Sequence, residues 1–144
     1  DFFWPTIEAV QEHLWPRREG TPALADFNAT AYLAAALLDP QIEAGERQYI
    51  SDGVAPLEAF TRTRFERSFF ELEETDREAV LRKVETSPVG QYWLSLIMYY
   101  LFEALLTDPV YGGNTDGAGW RWLEHEPGFP RPPSAHPYPE SSRA

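Results

Sequence analysis

Cysteine is absent from all 144 residues, which excludes disulfides, thiolate nucleophiles, iron–sulfur ligation by Cys and haem attachment through a CxxCH run. Positive charge is scarce as well: 12 Lys and Arg stand against 23 Asp and Glu, for a formal net charge of −11. Nucleic-acid binding draws on basic surfaces that release counterions from phosphate, so this balance argues against a nucleic-acid partner and disfavours direct adhesion to anionic lipid. The three histidines, His13, His125 and His136, are far apart and lack HExxH or Cys/His spacing. Each reads as a surface or packing residue rather than a metal ligand. No GxGxxG run follows a strand and no GxxxxGK run occurs, so neither a dinucleotide site nor a P-loop is supported.

Other chemistry is thin too. Asn114, Asp116 and Gly117 resemble part of a calcium loop, but its first and twelfth positions would be Gly112 and Leu123, which bring no carboxylate. Ser68, Ser87 and Ser95 lie in no nucleophile elbow, and nothing in the spacing favours a Ser/His/Asp triad. The acidic cluster Glu71, Glu73, Glu74, Asp76 and Glu78 has the composition of a solvated face. No catalytic, cofactor-binding or metal-binding residue is assigned in this chain, and no cofactor is expected in it.

What is present is helical periodicity. Residues 6–14 place Ile7, Val10 and Leu14 on one stripe between Pro5 and Pro16. Thr21 and Pro22 fit an N-cap and first-turn proline of a second helix, with Leu24, Phe27, Ala31 and Leu38 sharing a buried face before Asp39 and Pro40 end it. A longer pattern over 41–67 carries Tyr49, Ile50, Leu57, Phe60 and Arg64 and is kinked or divided around Asp52, Gly53 and Pro56. Thr75 and Glu78 have capping-box spacing for a helix that ends near 86–88. From Val89 to Leu106 the sequence is too apolar all round for a surface helix, which predicts the central helix of a bundle. Glu103 interrupts this run, which falls short of the roughly 18 to 20 continuous apolar residues needed to cross a bilayer. With no strand-like alternation and no repeat, the expected fold is all-α: a small helical bundle, one domain over 1–133.

Residues 107–122, TDPVYGGNTDGAGWRW, are the most specific stretch. Gly112, Gly113, Gly117 and Gly119 permit positive φ or close backbone approach, Asp108 before Pro109 is biased away from helix, and Asn114 and Asp116 can hydrogen-bond nearby amides. This glycine-rich loop has two readings: an elaborate helix terminus whose aromatics cover the core, or a binding surface for an interface or ligand. After Leu123, Pro127, Pro130, Pro132, Pro133, Pro137 and Pro139 predict an extended, proline-rich tail, docked through Pro133 and flexible over 134–144.

The run Asp108, Pro109, Tyr111, Gly112, Gly113, Asn114, then Gly119 and Trp120, then Pro127, Gly128, Phe129 and Pro130 resembles the C-terminal signature of the gluconate 2-dehydrogenase subunit 3 family. More weakly, 6–16 resembles the family's opening helix ending in proline, and 69–81 its Phe-x-x-Leu segment leading into an acidic helix. The usual proline-glycine step after the first helix is replaced here by Gly20, Thr21, Pro22 and Ala23.

This resemblance implies a small, cofactor-free accessory subunit of a flavin-dependent sugar or sugar-acid dehydrogenase complex. FAD would sit in a large catalytic partner, haem in a cytochrome c partner, and this chain would support folding, export or stability of the flavoprotein. It also implies a periplasmic, peripherally membrane-associated protein whose family carries a twin-arginine export peptide; no such leader is visible at Asp1, and Arg17–Arg18 is no export signal. On this reading the long apolar helix and the glycine-rich loop form a rigid surface, with Tyr111, Trp120, Trp122 and Phe129 as candidate anchors; Trp120 and Trp122 fit a core role equally. The alternatives are a stand-alone enzyme with an acidic residue near the loop as base, or a small-ligand-binding module.

Overall fold

The structure, a computed structural model, describes residues 1–133. Among them the elements are all helical: α1 (Phe3–Leu14), α2 (Ala29–Leu38), α3 (Ala44–Asp52), α4 (Val54–Phe65), α5 (Glu74–Val84), α6 (Pro88–Leu106) and α7 (Ala118–Trp122), with 3₁₀ turns at Leu24–Phe27, Phe69–Glu71, Pro109–Tyr111 and Thr115–Gly117. The all-α expectation holds. The expected tail over 134–144 lies outside the described residues.

Local chemistry sets most boundaries. Pro5 falls in the first turn of α1, where its missing N–H has no intrahelical partner to lose, and Asp1 Oδ1 accepts the Phe3 N–H at 3.0 Å. At the other end Trp15 turns extended before Pro16, as the residue preceding proline prefers. The break after Asp52 falls in the expected place. Pro56 has no N–H to offer the Asp52 carbonyl, and its ring would collide with that oxygen in a continuous helix. Gly53, the hinge residue, also makes room: a Cβ there would lie 2.0 Å from Trp93 Nε1. That indole instead donates to the Ile50 carbonyl at 2.9 Å, in the last turn of α3 where helix carbonyls need outside partners.

Two helix starts differ from expectation. Thr21 caps nothing; its backbone N–H goes to the Arg18 carbonyl. Asp26 instead accepts the Ala23 N–H at 2.7 Å to close a 3₁₀ turn, and Asn28 at φ 59° separates that turn from α2. The later start rotates the face: Ala29, Leu33 and Ala36 are buried, whereas Ala31 is exposed and Leu38 is 82% exposed. Likewise α5 begins at Glu74, so Thr75 lies inside the first turn and forms no capping box with Glu78. The reciprocal bond is made seven residues earlier, where Glu71 accepts the Ser68 N–H at 2.7 Å.

The long helix α6 is the hub. Ser87 Oγ accepts the Gly90 N–H at 3.0 Å and Pro88 occupies the first turn, giving a clean start. Its buried side, including Trp93, Leu96, Ile97 and Tyr100, packs with α1, α2 and α3. These residues belong to a main apolar cluster that also takes Ile7, Val10, Leu33, Ile50, Leu57, Phe69 and Val80. A second, smaller cluster lies at the C-terminal end of α6: Trp15, Phe27, Ala29, Leu101, Ala104 and Leu105. Burying each large side chain contributes about 1.5–3 kcal/mol.

Polar ties cross the core. Glu58, 2% exposed, accepts the Thr6 hydroxyl at 2.7 Å and the Phe69 N–H at 2.9 Å through one oxygen, with Arg62 Nε 3.5 Å from the other. One carboxylate thereby joins α1, α4 and the Phe69–Glu71 turn. His13 of α1 contacts Glu78 of α5, and this hydrogen bond, with a second from Arg82, holds the Glu78 carboxyl below its ordinary value.

Candidate functional site

The last four carbonyls of any α-helix lack intrahelical partners, and the stretch after α6 supplies donors to Ala104 and Leu106 among them. Ala104 O accepts the Asn114 N–H at 2.6 Å, which also lies 3.1 Å from Phe27 O. Leu106 O accepts the Trp120 indole N–H at 2.8 Å. One residue further on, Thr107 O accepts from the Asn114 side-chain amide at 2.8 Å. Asn114 Oδ1 in turn accepts the Gly119 N–H at 2.8 Å, which seats the start of α7. Asn114 is fully buried at φ 43°, a conformation that Asn tolerates better than most side chains.

Closeness explains Gly119. A Cβ at that position would lie 1.9 Å from the Leu105 carbonyl oxygen, so any larger residue lifts α7 off α6. The four glycines divide by role: Gly112 and Gly117 take positive φ, while Gly113 and Gly119 are buried at close approaches. Asn28 Nδ2 donates to Gly112 O at 2.8 Å, which joins the start of α2 to the same knot. Rather than an open loop, 107–122 is two 3₁₀ turns and a five-residue helix folded onto the end of α6.

Asp108 closes the knot. Its carboxylate accepts the Val110 N–H at 3.0 Å, capping the turn that Pro109 begins, and takes a forked pair from Arg131, Nε at 2.9 Å and Nη2 at 3.1 Å. The Arg131 hydrogen bond is the main reason that its pKa is lowered. The same guanidinium lies 5.3 Å from the centroid of the Trp120 ring. Trp120 is half-buried, bonded at one edge and covered on one face by Arg131. Tyr111 is half-buried.

The remaining aromatics point outward. Trp122 is 41% exposed and meets Trp15 edge-on at 5.5 Å, Leu123 is half-exposed, and Phe129 is almost bare. Phe102, 45% exposed, reaches the same Trp15 ring at 6.3 Å. Trp15 thus connects the end of α7 to the outer face of α6, where Tyr92, Tyr99 and Leu106 are also exposed.

The family model described as gluconate 2-dehydrogenase subunit 3 matches residues 3–128. The chain belongs to that family. No curated protein and no solved structure matches it. The family name makes its members subunits of a dehydrogenase complex. In this subunit 3 protein the signature residues Asp108, Pro109, Gly112, Gly113, Asn114, Gly119 and Trp120 come together around the C-terminus of α6. Trp122 and Phe129 stand outside that knot.

For the subunit 3 chain itself, sequence reasoning missed Phe102, Leu106 and Leu123 as individual exposed residues. A signal existed: a 19-residue helix carrying Glu103 as its single charge has more apolar perimeter than a small bundle covers. Among the described residues no group of three or more Asp, Glu or His side chains is placed to hold a metal ion, and no helix is long and apolar enough to cross a membrane. A groove of about 460 Å³ lies between the α3/α4 break and the start of α6, lined by Tyr49, Pro56, Phe60, Val89 and Trp93, with Asp52 and Lys83 also bordering it.

Proposed function

We propose that this chain is a non-catalytic accessory subunit that binds and stabilises the large flavin-dependent subunit of a sugar or sugar-acid dehydrogenase. On this reading FAD and the hydride chemistry belong to that partner, a cytochrome c subunit takes the electrons, and the assembly works at the periplasmic face of the inner membrane. Family membership supports the complex. The observation that carries the docking role is the exposed apolar surface formed by Phe102, Leu106, Trp122 and Leu123 at a helix end capped by Asn114 and Trp120.

The physical contribution is linkage: a surface that binds the folded flavoprotein and not its unfolded chain stabilises the folded form by mass action. The signature knot supports this role indirectly, because it fixes where Trp122 and Phe102 stand before any partner arrives. Preorganised aromatic anchors lose little freedom on binding.

Co-expression tests the reading. The flavoprotein, produced with and without this chain, should give a higher soluble yield, higher FAD occupancy and more dye reduction when the chain is present. Unchanged yield, occupancy and turnover in its absence would reject the role. Purified chain alone should reduce no dye with gluconate or glucose; turnover there would favour the stand-alone enzyme.

A second reading, a small-ligand module, draws on the apolar groove beside Trp93, whose size falls within the range of small-molecule sites. Raised melting temperature of the isolated chain with an apolar ligand would support it.

A further inference from the structure

The outer face of α6 carries a regular seam. Tyr92, Ser95, Tyr99, Phe102 and Leu106 follow one another at alternating steps of three and four, all of them exposed. That alternation is the spacing of a helix lying alongside another helix, whereas a helix facing solvent shows polar residues there. The seam runs about 21 Å. Tyr92, Tyr99, Phe102 and Leu106 are 50%, 58%, 45% and 45% exposed, so roughly half of each ring or chain remains to be covered.

Its backing is stiff. Trp93, Leu96, Ile97 and Tyr100 anchor the opposite side in the core. Tyr92 leans edge-on against Tyr49 at 5.0 Å and Tyr99 against Tyr100 at 5.2 Å, so both exposed rings are held by neighbours. Phe102 is held likewise by Trp15.

Charge around the seam is mainly acidic, with Arg47 on α3 and Lys83 beside the start of α6 as the neighbouring cations. Glu103, next to Phe102, is the one charged residue of α6 and forms no ion pair among the described residues. The flanking helix α3 contributes Glu46, bonded to the Tyr100 hydroxyl at 2.6 Å, and Asp52, while its Arg47 Nε is turned to the Ile42 carbonyl. A second copy of this chain would bring acid against acid, on a protein that already carries −11.

Resting on the accessory-subunit reading, we propose that this seam is the docking site for one α-helix of the flavoprotein, apolar along its contact face and flanked by Lys or Arg. The seam supplies the apolar contact and its spacing sets the helix alongside α6. Glu103 and the α3 carboxylates select the basic flank, which speeds encounter and penalises an acidic competitor.

The test uses the full chain immobilised and purified flavoprotein as the probe, at low and high salt. The double variant Tyr99→Ser/Phe102→Ser should keep the parent's melting temperature and lose flavoprotein affinity by about 100-fold. Glu103→Lys should weaken capture by about tenfold and flatten its salt dependence. Leu38→Ser, changing an exposed leucine on α2, should leave capture as it was.

If the parent chain captures no flavoprotein, the accessory reading and the seam fall together. If the parent and the double variant capture it equally, the seam alone is rejected. Dimerisation of the isolated chain that Phe102→Ser abolishes would assign the seam to a second copy and overturn the proposal. Should the double variant unfold, hydroxyl-radical labelling of the parent decides: protection of Tyr92 and Tyr99 by the flavoprotein supports docking, and unchanged labelling refutes it.

Discussion

The C-terminal end of α6 and its outer face, one helix apart in direction only, are built on opposite principles. At the end, carbonyls that would be orphaned are taken up by Asn114 and Trp120, and Gly119 is pressed against Leu105. Along the face, large apolar side chains from Tyr92 to Leu106 stand partly uncovered with no polar ties between them. The lesson is that the most distinctive motif in the chain is spent on internal geometry. Large exposed side chains lie mostly outside that knot, on the outer face of α6 and at Trp122, Leu123 and Phe129.

Breaking the knot should show the largest effect. Asn114→Ala leaves the Thr107 carbonyl and Gly119 N–H without their partner and places Ala at a left-handed φ, costing about 3 kcal/mol in all. A fall in Tm of about 10 °C, read by circular dichroism, is expected. Next comes Gly119→Ala, whose methyl group has no room beside Leu105 O; overpacking of this kind costs about 1–3 kcal/mol. If Gly119→Ala melted with the parent, the close packing of α7 on α6 would be wrong.

The face should respond the other way. Phe102→Ser is expected to change folding stability by no more than about 0.5 kcal/mol, while flavoprotein capture falls. A drop in Tm as large as that of Asn114→Ala would make Phe102 a core residue and erase the contrast between the two regions.

The smallest effect concerns pH. Arg131 lowers the Asp108 pKa, so the unfolded chain binds a proton there more readily than the folded one. The stabilisation is therefore present above the ordinary aspartate range, about pH 4, and is lost as pH falls through the lower folded value. Acidification should release Arg131 from the Trp120 ring before the helices melt, and Arg131→Gln should remove that early change in tryptophan fluorescence.

Legibility followed the range of the interaction. The α1 stripe, the α3/α4 break at Pro56 and the central helix were readable because their causes lie within a turn or two of the residues concerned. The start of α2 was not, since Asn28 takes its role from Gly112, 84 positions away, while Thr21 and Pro22 looked locally adequate. The two tryptophans of the signature differ for a similar reason. Trp120 finds Leu106 O and Arg131, whereas Trp122, two residues later on a short helix, faces out against Trp15. Nothing in the order of residues distinguishes them until α7 is placed.

Asn114 touching Phe27 and Asn28 reaching Gly112 have a consequence for biosynthesis. A ribosome delivers the front of α2 long before its last partner, so that junction waits until the chain 84 positions further on has emerged. Closing a span so wide is slow compared with local helix formation. Any nascent or prematurely terminated product lacking the final signature is left with an unfastened α2 junction, and only a chain read through that point can display its aromatic face in fixed form.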